Sequence, residues 1–157
     1  MKFYLIFSII CYLTINLRAQ NLTLSERFDI SFVSTEILEK YKTESDSVLG
    51  YENDSIAVDI EIVPFEKESY KFLNNISYGA REIAKDMGLE IFSDGNQLPN
   101  IRESFYVVAY DIDDEEETPI FVIAILNKDR QIAYEITVDC YDFKEGEKIV
   151  NSFKLLK

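Results

Sequence analysis

The C-terminal third of the chain has the clearest pattern of apolar and polar positions. Two apolar segments, residues 105–112 and 120–126, come first, and the second is apolar at every position, as in a strand buried on both faces. Residues 132–141 then alternate strictly between apolar and mostly polar side chains, so one face of that strand belongs to the core. The pattern predicts an antiparallel meander with residues 120–126 as its central strand.

A helix is predicted to follow this meander and to fold back onto it. Asp142 can cap its first turn, and Glu145, three residues later, can return the hydrogen bond to the cap. The apolar residues after the cap fall at helical spacing, which gives the helix one face for the sheet: Ile149, Val150, Phe153 and Leu156.

The N-terminal part of the domain reads as a strand followed by a hairpin. Phe28, Ile30 and Phe32 alternate with polar residues as a short first strand, after a mobile entry over residues 20–26. Residues 34–41 are predicted to form a brief helix or turn. A polar turn at 52–54 then separates two strands, and Pro64 closes the second of them: residues 47–51 and 55–65.

The longest helical signal begins at Ser69 and stops at Gly88. Its opposite face is charged, so this helix should cover a sheet. Residues 89–93 can add a short strand. The whole order predicts an α+β fold, with a mainly antiparallel sheet of about five to six strands covered by this helix and the C-terminal one. The apolar positions of the long helix are Leu73, Ile76, Ala80, Ile83, Ala84 and Met87.

The first nineteen residues have the layout of a secretory signal peptide. Lys2 precedes an apolar run over residues 3–15, and Ala19 is the small residue expected before cleavage at Gln20. The apolar stretch is shorter than the ~20 residues that span a bilayer, although an uncleaved anchor is the alternative. We therefore predict an exported protein, periplasmic or extracellular, with one mature domain (residues 20–157) and no membrane attachment once the leader is removed.

Charge narrows the choice of partners. The chain has 16 basic and 29 acidic residues, a formal net charge of −13. Lys2 and Arg18 leave with the leader, so the mature chain has 14 basic residues and a net charge of −15. Such a chain should repel nucleic acid and anionic lipid and favour a basic partner. The oligomeric state is left open.

Several common chemistries are excluded by composition. The chain has no histidine, which removes Ser-His-Asp and Cys-His catalysis together with the usual zinc sites. It also lacks a glycine-rich phosphate loop. We predict a non-enzyme without a cofactor, and an enzyme using a carboxylate pair or a tyrosine is a less favoured alternative. Cys140 is the single cysteine after cleavage, and its place on an apolar strand face predicts a buried, inert thiol.

An acidic run between two predicted strands is the candidate metal site. Clustered carboxylates can bind calcium or a basic protein. The run lacks the glycine and the spaced terminal glutamate of an EF-hand, so a solvated hairpin loop is the simpler interpretation. Tyr106 and Tyr110, just before it, share a strand face and would form an aromatic wall if no helix covered that face. The candidate ligands are Asp111, Asp113, Asp114, Glu115, Glu116 and Glu117.

The element order and the ending KIVNSFKLL at residues 148–156 resemble the PsbP-like αβα sandwich. This fold is shared by photosystem oxygen-evolving accessory proteins, the Ran-binding Mog proteins and bacterial DcrB-type envelope proteins. The start LRAQN at residues 17–21 resembles those of secreted Bacteroidetes proteins. The resemblance implies a non-enzymatic accessory module that binds another protein. A special case of this hypothesis is an immunity- or chaperone-like role, in which the acidic surface covers a basic partner. A small-ligand or calcium-binding module using residues 111–117 is the alternative.

Overall fold

A computed structural model describes residues 20–23, 28–64, 75–113 and 117–156. These residues form ten strands and two helices, in an order that follows the predicted one closely. The strands are β1 (Gln20–Thr23), β2 (Ile30–Ser34), β3 (Glu39–Tyr41), β4 (Val48–Glu52), β5 (Ile56–Pro64), β6 (Leu89–Asp94), β7 (Ser104–Asp111), β8 (Ile120–Asn127), β9 (Ile132–Cys140) and β10 (Lys154–Leu155); the helices are α1 (Ile76–Asp86) and α2 (Phe143–Ser152).

The main sheet has seven antiparallel strands in the order β3-β4-β5-β9-β8-β7-β6, which confirms the predicted α+β class. Strand β8 is interior and buried at all six of its inner positions, as its apolar sequence predicts. It is the central strand of the predicted meander, between β7 and β9, but not of the whole seven-stranded sheet. The hairpin strand β5 pairs with β9 along nine residues, from Ile56 opposite Cys140 to Pro64 opposite Ile132, and this pairing puts β9 in the middle.

Helix α1 covers one half of one face of this sheet, over β6, β7 and β8. Small residues on both sides let the helix and strands approach closely, and the Asn75 side chain caps the helix by accepting from the backbone N–H of Tyr78. The start predicted at Ser69 lies outside the described residues. The buried contact joins Ala80, Ile83 and Ala84 to Val107, Val122 and Ala124.

The opposite face carries the main core, beneath helix α2 and a second sheet of three strands in the order β1-β2-β10. Phe153 ends α2 and packs against Phe32 of β2, with ring centroids 5.2 Å apart. Both side chains are fully buried. Helix α2 thus ties the small sheet to the large one through apolar contact.

The predicted cap of α2 is present, but only half of the predicted capping box forms. The Asp142 carboxylate accepts from the backbone N–H groups of Lys144 (2.8 Å) and Glu145 (3.1 Å). Glu145 does not return a bond to the cap. Its carboxylate accepts from the Thr35 hydroxyl and N–H and from Lys148 instead. Burial raises the pKa of Glu145, but these bonds outweigh burial and lower it.

The sequence pattern did not predict three short strands, β1, β3 and β10. Residues 20–23 are strand β1 and not a mobile entry, and residues 39–41 are edge strand β3 and not a helix or turn. Helix α2 ends at Ser152, so Leu156 lies beyond it, because Phe153 turns to extended backbone and β10 pairs with β2. Each of these strands exists through pairing with a partner strand, which no local pattern reveals.

Candidate functional site

The uncovered half of the α1 side of the main sheet is the candidate site. Because side chains alternate along each strand, one side of β3, β4, β5 and β9 carries a set of carboxylates. Within the described residues, helix α1 lies over β6, β7 and β8 and leaves β3, β4 and most of β5 without a helix above them. We call this surface the acidic face, and its carboxylates are Glu39, Glu52, Asp59, Glu61, Glu135 and Asp139.

The strand register brings like charges together on the acidic face. Glu39 stands directly opposite Glu52 across β3 and β4, and Glu61 stands directly opposite Glu135 across β5 and β9. Glu39, Glu52 and Glu61 are exposed. Like charges directly opposite each other destabilise a strand pair, so the pairing of Glu39 with Glu52 costs the fold some stability. A cationic partner would relieve that repulsion.

Tyr41 fixes the middle of the acidic face. Its ring lies across Gly50, where a Cβ atom would come within 2.1 Å of the Tyr41 Cζ atom, so only glycine leaves room for it. The Tyr41 hydroxyl donates a hydrogen bond to Asp59 Oδ1. Burial and this bond raise the pKa of Tyr41, so the phenol stays protonated at neutral pH. Asp59 is thereby held in place between its neighbouring carboxylates.

A hollow of about 740 Å³ continues the acidic face at its β3 edge. The hollow is lined by Glu39, Lys40, Tyr41 and Glu52 together with Asn53, Asp54 and the exposed Ile37. The Asn53 amide donates to Glu36 Oε2 (2.8 Å) and to the Ile37 carbonyl (3.2 Å), which holds the two sides of the hollow in register. The acidic surface therefore ends in a shaped edge with one apolar side chain.

The acidic run of the sequence lies apart from this face, in the connection between β7 and β8. Asp111 ends β7, and its carboxylate accepts from the backbone N–H of Asp113 (2.9 Å). Glu117 is exposed, while Asp114, Glu115 and Glu116 lie outside the described residues. Among the residues that the structure describes, no three Asp, Glu or Cys side chains come together to hold a metal ion. The calcium site stays a prediction.

The tyrosines before that run have separate environments. Helix α2 lies on their side of the sheet, and Tyr106 is only 7% exposed, with its ring 6.1 Å from that of Phe121. Burial raises the pKa of Tyr106, and the nearby Glu147 adds to the effect. Tyr110 stays partly exposed. No aromatic wall over both residues therefore forms.

Cys140 is buried, as its place on the strand predicts. Its thiol donates to the Asp142 carbonyl at 3.2 Å. Burial raises the pKa of this thiol, which disfavours the reactive thiolate.

No helix among the described residues has the length and apolar character needed to cross a bilayer. The described helices have 11 and 10 residues, and each has buried positions facing the sheet.

These layers define an α+β sandwich, and comparison with solved structures identifies the same fold. Two Mog1 structures match with a TM-score of 0.59 and 9% sequence identity, over 88% of this chain and 96% of theirs. One is the Ran-binding protein Mog1p of Saccharomyces cerevisiae and the other is a point mutant of Mog1. The predicted PsbP- and Mog-like fold is thereby confirmed.

A third solved structure, from Bacteroides thetaiotaomicron VPI-5482, matches with a TM-score of 0.46 and 12% identity, over 88% of this chain and 48% of the other. No protein-family model matches the sequence. No curated protein matches it either.

The sequence held one signal for the acidic face. Asp59 and Glu61 alternate with apolar residues on β5, and Glu135 and Asp139 do so on β9. Each pair marks the polar side of its own strand. That the two sides are adjacent follows only from the pairing of β5 with β9.

Proposed function

We propose that the protein is an exported, non-enzymatic binding module whose acidic face docks onto a basic protein. The observation that carries this proposal is the register of the face, which sets the exposed Glu39 opposite the exposed Glu52 and places Glu61 on the next strand, where no helix among the described residues lies above them. A partner with a surface of lysines and arginines would meet complementary charge there.

The electrostatics of the chain support such a role. The mature chain has a net charge of −15, so it attracts a basic protein before the two surfaces touch. This long-range attraction speeds their encounter. Attraction between exposed charges falls steeply as salt is added. Association through the acidic face should therefore be fast and sensitive to salt.

The fold is compatible with a protein-binding role without requiring one. Mog1p has this fold and is a Ran-binding protein. Fold alone does not fix function, so the argument depends on the surface of this chain. An acidic cover over a basic toxin or effector, as in an immunity protein or a chaperone, is the role that this surface fits.

Export is tested on the native protein. We expect it in the envelope or secreted fraction of the cells that make it, with Gln20 as its first residue. Intact mass and N-terminal sequencing of the purified protein measure this directly. A chain that still carries Met1 and Lys2 would show that the leader is kept, and the export part of the proposal would then need an anchored protein.

Docking is tested by affinity capture with the mature protein, residues 20–157, which contains every described element. Captures from native envelope and secreted fractions are compared at about 50 mM and 500 mM salt. We expect a basic protein at low salt only. A variant with Glu39→Gln, Glu52→Gln and Glu61→Gln should lose most of that capture, because it removes the exposed carboxylates of the acidic face.

A matched variant separates this surface from net charge. Asp86→Asn, Asp129→Asn and Glu147→Gln remove the same number of exposed carboxylates elsewhere on the molecule. We expect this variant to capture the partner nearly as well as the native protein. Equal loss in both variants would mean that overall charge is responsible, and capture unchanged at high salt would contradict the electrostatic role.

A further inference from the structure

A second surface lies at the other end of the sheet, on edge strand β6. The ladder with β7 is interrupted there, because Ile91 pairs with Ala109 and Ser93 with Val108, which leaves Phe92 as the extra residue of a bulge. Phe92 is 72% exposed. Bulges at sheet edges re-aim side chains, and this one points a large aromatic residue into solvent.

Phe92 stands at the side of a cleft of about 240 Å³. Tyr110 of β7, Pro119 before β8 and Phe143 at the start of α2 line the same cleft, with Val108 beneath them. Phe143 is 43% exposed, and its inner side packs against Phe121 at 5.2 Å between ring centroids. Three aromatic side chains therefore border a space the size of one long side chain.

Two carboxylates complete the cleft. Glu117 lines it directly, and Glu90 stands opposite Tyr110 in the ladder, on the same side of the sheet. Four cation–carboxylate pairs are formed among the described residues, and neither of these two glutamates belongs to one of them. The cleft is thus apolar and aromatic inside, with negative charge at its wall and rim.

Arginine is the side chain that satisfies both features. Its aliphatic stem can lie along apolar walls while its charged head reaches a polar rim. Its planar guanidinium stacks on aromatic rings and pairs with carboxylates through several N–H donors. Neutral apolar side chains would leave the carboxylates unused, and lysine lacks the planar group that stacks.

We propose that the cleft between Phe92, Tyr110, Phe143 and Glu117 binds an arginine side chain of a partner protein. This inference deepens the proposed function, since arginine contributes to the charge of a basic partner. The cleft lies on the α2 side of β7, whereas the acidic face lies on the α1 side of β3, β4 and β5. The two surfaces can therefore be tested separately.

The test is a titration of the ¹⁵N-labelled mature protein with the blocked peptide Ac-Gly-Arg-Gly-NH2, followed by NMR up to about 20 mM, where millimolar binding saturates. We expect saturable shifts of the backbone amides of Phe92, Tyr110 and Glu117. The same peptide with neutral citrulline in place of arginine should bind about tenfold more weakly, because it keeps the shape and loses the charge.

Two variants connect the shifts to the cleft. Glu117→Gln and Phe92→Ala change exposed residues, so both should keep the dispersed spectrum of the folded protein. Each should weaken arginine binding about fivefold to tenfold. Absence of saturable shifts, or equal binding of the citrulline peptide, would overturn the proposal. Free arginine binding as tightly as the peptide would point to a small-molecule site and would also overturn it.

Arginine-peptide binding does not depend on the acidic face. It should survive the Glu39, Glu52 and Glu61 substitutions with less than a twofold change. If the peptide binds while affinity capture fails, the cleft stands and the proposed docking surface is wrong. If capture succeeds and the peptide does not bind, the cleft is wrong and the docking surface stands.

Discussion

Replacing Phe153 with alanine should lower the free energy of unfolding by about 3–5 kcal/mol, the largest effect that we expect from a single substitution. Phe153 is fully buried at the point where α2 ends, and its ring lies 5.2 Å from that of Phe32 in β2. Alanine removes the apolar contact and leaves a cavity between helix, small sheet and main sheet. Urea unfolding of the mature protein, followed by far-UV circular dichroism, measures the loss.

The matched control is the same change at an exposed position. Phe92→Ala removes a ring that is 72% exposed and should alter the free energy of unfolding by less than about 0.5 kcal/mol. The slope of unfolding free energy against urea should stay the same in both variants, since neither changes the surface exposed on unfolding. A loss below about 1 kcal/mol in Phe153→Ala would show that α2 does not depend on this contact.

Ser104→Ala is expected to have the next largest effect, a loss of about 2–3 kcal/mol. The Ser104 hydroxyl is buried, donates to the Ile101 carbonyl (2.6 Å) and accepts from the Leu98 N–H (3.0 Å). It closes the connection between β6 and β7, whose Leu98 and Ile101 side chains are core residues. Alanine leaves a buried donor without its partner and removes a bond from a buried carbonyl.

Ser93→Ala serves as the comparison for that change. The Ser93 hydroxyl donates to the Asp94 carbonyl at 3.2 Å in an exposed position, where water can replace it. Its loss should cost less than about 0.5 kcal/mol in the same urea experiment. Equal stability of Ser104→Ala and Ser93→Ala would mean that the buried hydroxyl bridge contributes nothing, contrary to the expected result.

The two surfaces differ in how far local sequence could predict them. The acidic side of β5 is visible in the alternation of Asp59 and Glu61, because period-two patterning is a property of one strand. The cleft at β6 has no such signal. It joins Phe92, Tyr110, Pro119 and Phe143 from four separate segments, and its exposed ring depends on a bulge that only strand pairing defines.

The acidic run at residues 111–117 was predicted as a site only because its carboxylates are close together in the sequence, and it was the least informative of the predicted features. The run that begins at Asp111 is prominent in the sequence, yet the described part of it shows exposed residues at the end of β7 and before β8. Carboxylates that are scattered in sequence, such as Glu39, Glu52 and Glu61, gather on one surface. The density of charged residues along a chain is a weak guide to a binding surface, because strand pairing brings together residues that are distant in the sequence.

Apolar patterning determined the fold class, the two described helices and the strands β2, β5, β7, β8 and β9, since each buries apolar side chains that its own sequence defines. The tertiary structure decided everything that depends on a neighbour. Pairing with β2 creates β1 and β10, pairing with β4 creates β3, and pairing of β5 with β9 moves the centre of the sheet. The tertiary structure also decided which half of the sheet lies beneath helix α1. The position of that helix depends on the strands against which it packs, and the alternation of side chains within a strand does not reveal it.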